Sequence, residues 1–290
     1  KNLLKQNNYQ YIAQCFIKLT KEMRTISSVN NHIIKNITGL TQKTSLRKKS
    51  DVFVVEGKRE LQLAYKGGFI IDKVFYCKSL FSSSSFIKWS FNKLGKNNVV
   101  LVTENVYEKI SYRKKTEGII ALVKKKTFGL DTIKIKNRNP LILVVENIEK
   151  PGNIGAMLRT ADASKIDCLL VADPKTDIYN PNVIRSSVGG LFSVPIGIGS
   201  NKDILRFLKQ NKITLYAASL QDSISYDKID FSTPSAIIVG TESKGLSTFW
   251  MNQSDLKIKV PMLGTLDSMN VSVAAAILIY EATRQRNFYS

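Results

Sequence analysis

Apolar residues follow two regimes along this chain. In the second half the run Leu141-Ile-Leu-Val-Val145 is apolar without interruption. Such a run suits a strand covered on both faces, as in a parallel sheet, better than a strand with one wet face. Similar runs at 168–171, 213–218, 236–239 and 256–260 predict further buried strands, and helical spacing at about 152–163, 181–190, 203–210 and 269–285 predicts helices between and after them. The first half carries shorter signals. Asp51-Val-Phe-Val-Val-Glu-Gly57 reads as a strand ending at glycine. Residues 58–66 have helical spacing through Leu61, Leu63 and Ala64 and are closed by Gly67-Gly68. Strands are predicted at 69–76, 98–103 and 118–124, with a helix after the serine run within 79–96 and another over 104–111.

Strands alternating with helices in both halves predict an α/β fold. The expected organisation is a variable extension over 1–30, a small α/β domain over 31–125, a basic linker over 126–140 that ends at Pro140, and a larger doubly covered α/β domain over 141–290. In such a sheet ligands lie beyond the carboxyl ends of the strands. No internal repeat is visible.

Charge sharpens this division. Residues 1–140 hold 28 Lys and Arg against 9 Asp and Glu, whereas residues 141–290 hold 15 against 14. A basic module beside a neutral one points to polyanion binding next to chemistry, and a phosphate backbone is the obvious polyanion. The basic candidates are Lys43, Arg47, Lys48, Lys49, Lys58, Arg59, Arg113, Lys114 and Lys115, which cluster around short strands. Cys15, Cys77 and Cys168 are far apart and lack metal spacing, which suits buried thiols in a reducing compartment. His32 is the single histidine. Ser-His and Cys-His nucleophilic catalysis and a His-ligated zinc are therefore excluded, and no metal is expected. No apolar run approaches the roughly 20 residues that span a bilayer, and the first 22 residues lack a secretory apolar block. A cytoplasmic protein without membrane partners is expected.

Three segments of the second half set polar residues, Gly or Pro beside an apolar run: Asn153-Ile-Gly-Ala-Met-Leu-Arg159, Gly240-Thr-Glu242-Ser-Lys-Gly245-Leu-Ser, and Val260-Pro-Met-Leu-Gly-Thr-Leu-Asp-Ser268-Met-Asn270-Val-Ser272. Each follows a predicted strand, so all three can converge on one composite site. Asn153 suits a helix N-cap, and Arg159 two turns later offers a planar fork to an anion. Read structurally, the same segment is a capped helix with a surface arginine. The second segment lacks the lysine that a P-loop requires, since Leu246 stands there, so nucleotide hydrolysis is excluded. What remains is a Gly-flanked loop where Gly240 allows close approach to the backbone and Glu242 can cap, pair or bind; a plain turn is the alternative. In the third, Ser268 or Asn270 can cap the following apolar helix. Capping alone does not call for Ser268, Asn270 and Ser272 together.

In order and separation these segments resemble the three motifs of the SpoU family of RNA ribose 2′-O-methyltransferases, over about residues 140–287. Residues from about 30 to 125 resemble the L30e-like substrate-binding domain that precedes it in many members, most clearly at Phe53-Val-Val-Glu-Gly57. The resemblance implies a C-terminal trefoil knot, a homodimer formed through the knotted domain, and S-adenosyl-L-methionine as cofactor. It places Asn153 and Arg159 in the first motif, Glu242 with Gly240 and Gly245 in the second, and Ser268, Asn270 and Ser272 in the third. Cofactor contacts would fall at Gly240, Val260 and Met269, with Gly245 and Ser272 beside them. Since free arginine loses its proton only above a pH of about 12, Arg159 is better read as a cation that binds phosphate and steadies a forming alkoxide than as a base. Ribosomal RNA is the expected substrate. Transfer RNA methylation and a non-enzymatic RNA-binding role are the alternatives.

Overall fold

The computed structural model describes residues 23–81, 83–113, 117–241 and 244–287, which fall into two compact units divided between Lys126 and Thr127.

The first unit runs β1 (Thr25–Ile26), α1 (His32–Gln42), α2 (Thr44–Lys49), β2 (Val52–Glu56), α3 (Lys58–Lys66), β3 (Ile71–Cys77), α4 (Ser84–Leu94), β4 (Val99–Val102), α5 (Glu104–Ile110) and β5 (Ile119–Lys124). The sheet order is β1-β4-β3-β5-β2, with β5 antiparallel to both of its neighbours. Asn31 starts α1 by accepting the Ile33 N–H at 2.9 Å, which satisfies a donor the helix itself cannot. Ile34, Ile37 and Leu40 then recur on one face, fully buried against Phe75, Val100 and Ile120 of the sheet.

The second unit runs β6 (Leu141–Glu146), α6 (Pro151–Ala163), β7 (Cys168–Ala172), α7 (Pro181–Ser187), α8 (Gly190–Ser193), β8 (Ile196–Gly199), α9 (Asn201–Gln210), β9 (Thr214–Ala218), β10 (Ile224–Ser225), β11 (Ser235–Val239), α10 (Thr248–Gln253), β12 (Leu256–Lys259) and α11 (Val271–Gln285). The strand order is β10-β12-β9-β11-β6-β7-β8, and every pairing is parallel. Alternate residues of β6 point to opposite faces. Ile142 and Val144 join Leu208 of α9 and Trp250 of α10 in one core, while α6 and α11 pack on other parts of the sheet. Burial on both faces explains the unbroken apolar runs of the central strands.

Four expectations are corrected. The extension expected over 1–30 includes part of the first sheet: Thr25–Ile26 pairs parallel with Leu101–Val102, and Ile26 is buried in the core. The stretch read as a linker over 126–140 is, from Thr127 on, a packed part of the second unit. Leu130, Ile133 and Ile135 lie against its core, Phe128 stacks on Tyr179 with ring centroids 5.7 Å apart, and the Phe128 carbonyl accepts the Ile198 N–H. The helix expected over 181–190 is two short helices, because Val188 (φ 52°) and Gly189 (φ 99°) take left-handed conformations. Asn153 does not cap α6; the helix begins at Pro151, and Asn153 sits in its first turn.

Candidate functional site

Because the strands of the second unit are parallel, the loops after β9, β11 and β12 emerge on one edge of the sheet. They enclose a cavity of about 430 Å³, closed on one side by the first turns of α11. The loop after β11 contributes Gly240, Thr241, Lys244, Gly245 and Leu246, and the loop after β12 contributes Val260, Met262, Ser268 and Met269. Ile258, Ala274 and Leu278 supply an apolar floor.

The loop after β11 is shaped by its glycines. Thr241 and Gly245 exchange backbone hydrogen bonds of 3.0 and 2.9 Å, which close the loop at these two residues, with Gly245 at φ 66°. A Cβ on Gly240 would lie 2.2 Å from the Gly245 carbonyl oxygen and 2.5 Å from the Leu246 nitrogen. Gly240 is therefore required by the chain folding back on itself, a stronger reason than ligand approach.

This turn is pinned from beneath by Glu146. Its side chain is buried at the end of β6, where it accepts the Ser247 N–H at 2.8 Å and the Ser247 hydroxyl at 2.6 Å. It also accepts from Asn201 Nδ2 at 2.9 Å, and Asn201 Oδ1 accepts the Trp250 indole N–H at 2.7 Å. A buried carboxylate is costly unless its oxygens are bonded, and here three donors serve them. Sequence reading passed over Glu146 as a positioning residue. Its one signal was an acid ending a strand that is otherwise wholly apolar.

The first and third segments meet through side chains. Asn270 caps α11: its Oδ1 accepts the Ser272 N–H at 2.9 Å and the Ser272 hydroxyl at 2.6 Å. Its Nδ2 donates to Asn153 Oδ1 at 3.1 Å. Ser272, expected among the cofactor contacts, supports Asn270 and is not among the residues that line the cavity. Gly240, Gly245, Val260, Met269 and Ser268 do line it. Arg159 is exposed on α6 and is not part of the cavity wall. Glu242 lies outside the described residues. The first segment lends no residue to the cavity wall, and sequence reading missed a contributor that does, Ser219-Leu220-Gln221 after β9, whose loop has no Gly or Pro to mark it.

The basic candidates of the first unit separate. Lys48, Lys49 and Arg59 are exposed. Arg47 is corrected: it is 2% exposed, and its guanidinium donates to the Leu40 carbonyl and to Thr44 Oγ1, both at 2.9 Å. Arg113 pairs with Glu60 at 3.0 Å, and Lys58 Nζ donates to Ser83 Oγ at 3.2 Å. Lys114 and Lys115 lie outside the described residues.

Among the described residues no cluster of His, Cys, Asp and Glu could hold a metal ion, and no helix is long and apolar enough to cross a membrane. The cavity can take a ligand with one flat apolar end and one polar end. Its volume lies within the roughly 300–1,000 Å³ of small-ligand sites, its floor is aliphatic, and Ser219, Gln221, Thr241 and Ser268 stand at its walls.

Comparison with known proteins agrees with this geometry. Residues 140–280 match the SpoU rRNA Methylase family, and residues 31–121 match the MRM3-like substrate binding domain. The chain is 28% identical over 258 residues to the 23S rRNA (guanosine(2553)-2′-O)-methyltransferase of Bacillus subtilis, covering 89% of this chain and 98% of that one. It is 36% identical over 155 residues to the tRNA (guanosine(18)-2′-O)-methyltransferase of Thermus thermophilus, covering 52% of this chain and 79% of that one. Its structure resembles an AdoMet-bound rRNA methyltransferase from Sinorhizobium meliloti with a TM-score of 0.82 and 25% identity, over 90% of this chain and 98% of that one.

Proposed function

This chain belongs to the SpoU rRNA methylase family, and from that membership we propose that it transfers a methyl group from S-adenosyl-L-methionine to a ribose 2′-hydroxyl of RNA, with ribosomal RNA as substrate. The observation that carries the reading is the single cavity built from the loops after β9, β11 and β12, with the Asn153–Asn270 hydrogen bond tying the first segment to its edge. The residues present fit the cofactor. An aliphatic floor suits an adenine ring, the strand-end backbone at Gly240 and Val260 can be read by its edge, and the hydroxyl and amide groups suit its sugar and amino-acid parts.

When bound, the cofactor supplies a sulfonium-activated methyl group, so the protein's task is alignment. The Gly240–Gly245 turn, held by Glu146 through Ser247, fixes one wall. Asn270, held by Ser272 and linked to Asn153, presents polar groups beside that wall for the incoming ribose. Arg159, exposed on α6 rather than in the cavity wall, is assigned to the RNA side: a cation for the neighbouring phosphate and for charge growing on the attacking oxygen.

Two further parts belong to the same proposal. One is a homodimer, supported by the stripe Val273, Ile277 and Tyr280 on α11, where Val273 and Tyr280 are exposed, and by exposed Leu263 and Leu266 in the preceding loop. The other is a knotted C-terminal segment. It is supported by the path of the chain, which leaves β12 on the far side of β9 and returns so that α11 packs against β11, β6 and α6. The full-length likeness to a 23S rRNA enzyme favours ribosomal RNA, since the likeness to the tRNA enzyme spans about half of this chain. Incubation with labelled cofactor and separated ribosomal and transfer RNA tests this. Label is expected in ribosomal RNA; label in transfer RNA alone would reassign the substrate, and label in neither would leave an RNA-binding protein.

A further inference from the structure

The first unit holds a second cavity, of about 350 Å³, between α3 and α4. One wall is the face of α3 made by Lys58, Gln62, Tyr65 and Lys66, and the other is Phe86 and Trp89 of α4. The aromatic rings form a corner. Tyr65 stands edge-on to Trp89 with centroids 5.0 Å apart at 89°, and Phe86 lies 4.9 Å from Trp89 at 35°. Phe86 is buried at the base, whereas Tyr65 keeps 40% of its surface exposed. Lys93 Nζ sits 5.9 Å from the centre of the Tyr65 ring.

Cations outnumber acids around this corner. Lys58 and Lys66 line it and Lys93 sits by Tyr65, with Arg59 and Lys88 on the same two helices; of the acids, Glu60 is buried and paired with Arg113, and Glu117 accepts the Lys58 backbone N–H at 2.8 Å. Accessible rings flanked by cations, here exposed Tyr65 and half-buried Trp89, are the arrangement by which proteins hold single-stranded nucleic acid: the rings stack on bases and the cations follow the phosphates. A proline-rich peptide also uses aromatic grooves, but it draws nothing from Lys58, Lys66 and Lys93.

We infer that the α3–α4 cavity is a base-stacking site for an unpaired nucleotide of the RNA, with Tyr65 and Trp89 against the base and Lys58 and Lys66 toward its phosphates. The site rests on the reading of this chain as an RNA-acting protein. It gives the basic first unit a way to recognise an unpaired, splayed-out base, which charge alone cannot do.

The test uses the full chain and two probes at one salt concentration: a single-stranded RNA of roughly 12 nucleotides and an abasic sugar-phosphate strand of equal length. The base-bearing strand is expected to bind at least about fivefold more tightly and to quench tryptophan emission, the lower end of what one stacked base contributes. Tyr65→Ala, an exposed change that leaves the core intact, and Trp89→Ala are each expected to remove that advantage while leaving abasic binding unchanged. Trp89→Phe is expected to restore most of it. Equal binding of both probes, equal loss for both in the variants, or displacement by a proline-rich peptide without base discrimination would overturn the site. Methyl transfer to RNA by the wild type is read separately. Its absence with base discrimination intact removes the enzymatic reading alone, and its presence without discrimination removes this site alone.

Discussion

Asn270 Nδ2 donates to Asn153 Oδ1 at 3.1 Å and so joins the starts of two helices that lie 117 residues apart in the chain. Two polar segments that looked like separate helix caps are one unit beside the cavity.

The two asparagines are separable because only Asn270 also caps α11. Asn153→Ala is expected to leave thermal stability nearly unchanged and to lower methyl transfer about tenfold, the scale of one positioned hydrogen bond. Asn270→Ala should show the same loss of rate and, in addition, lower stability by about 1 kcal/mol through the lost cap. The double variant should be no slower than Asn270→Ala; additive losses would mean that the pair does not act as a unit.

Gly240→Ala probes the turn rather than a side chain. The new methyl group would meet the Gly245 carbonyl at 2.2 Å, which is backbone and cannot swing aside. Calorimetric titration with S-adenosyl-L-methionine should show at least a tenfold weaker site, on the order of 1.4 kcal/mol, in a protein that still folds. Wild-type affinity in this variant would separate the turn from cofactor binding.

Arg47 should part company with its neighbours Lys48 and Lys49. Arg47→Ala leaves the Leu40 carbonyl without its donor in a buried place and is expected to cost about 2 kcal/mol of first-unit stability. Changing exposed Lys48 and Lys49 together to Gln should leave the melting temperature alone and flatten the salt dependence of RNA binding. A melting shift in the lysine variant, or none in Arg47→Ala, would reverse this assignment.

Glu56 makes the first unit sensitive to pH. Its side chain is buried, and its Oε2 accepts the Tyr112 N–H at 2.8 Å. Burial pushes the carboxyl above its ordinary value of 4.5, against the opposing pull of the Tyr112 N–H and the Arg113 charge. With the folded value above the unfolded one, the favourable contribution of this group is complete below pH 4.5 and is lost as pH rises through the folded value. Glu56→Gln keeps the acceptor and abolishes the titration. Wild type should therefore lose stability relative to Glu56→Gln as pH is raised from 4.5 toward neutrality, and a difference that is flat with pH would show that burial does not govern this carboxyl.

The parts of the fold legible in the sequence were those with one dominant signal. The α3 bounds, Lys58–Lys66, follow from Leu61 and Ala64 and the glycines after them, and the central strands follow from burial on both faces. The strap from Thr127 to Asn139 was not legible, because Leu130, Ile133 and Ile135 are scattered among lysines with neither helical nor strand period. Within the site, residues flanked by Gly, Pro or a cap position stood out: Gly240, Val260, Ser268 and Asn270. Glu146 and the 219–221 loop did not, because pinning and lining come from where the parallel strands end together in space, a relation that no local pattern carries.

The most direct test of the account is methyl transfer from labelled cofactor to ribosomal RNA by wild type and by Arg159→Ala, with cofactor binding measured on both. Label should appear as 2′-O-methyl nucleotide with the wild type, and Arg159→Ala should bind cofactor normally yet transfer at least ~100-fold more slowly, the scale of one lost transition-state donor. Equal rates in the two proteins, or label that never reaches a ribose 2′-oxygen, would contradict it.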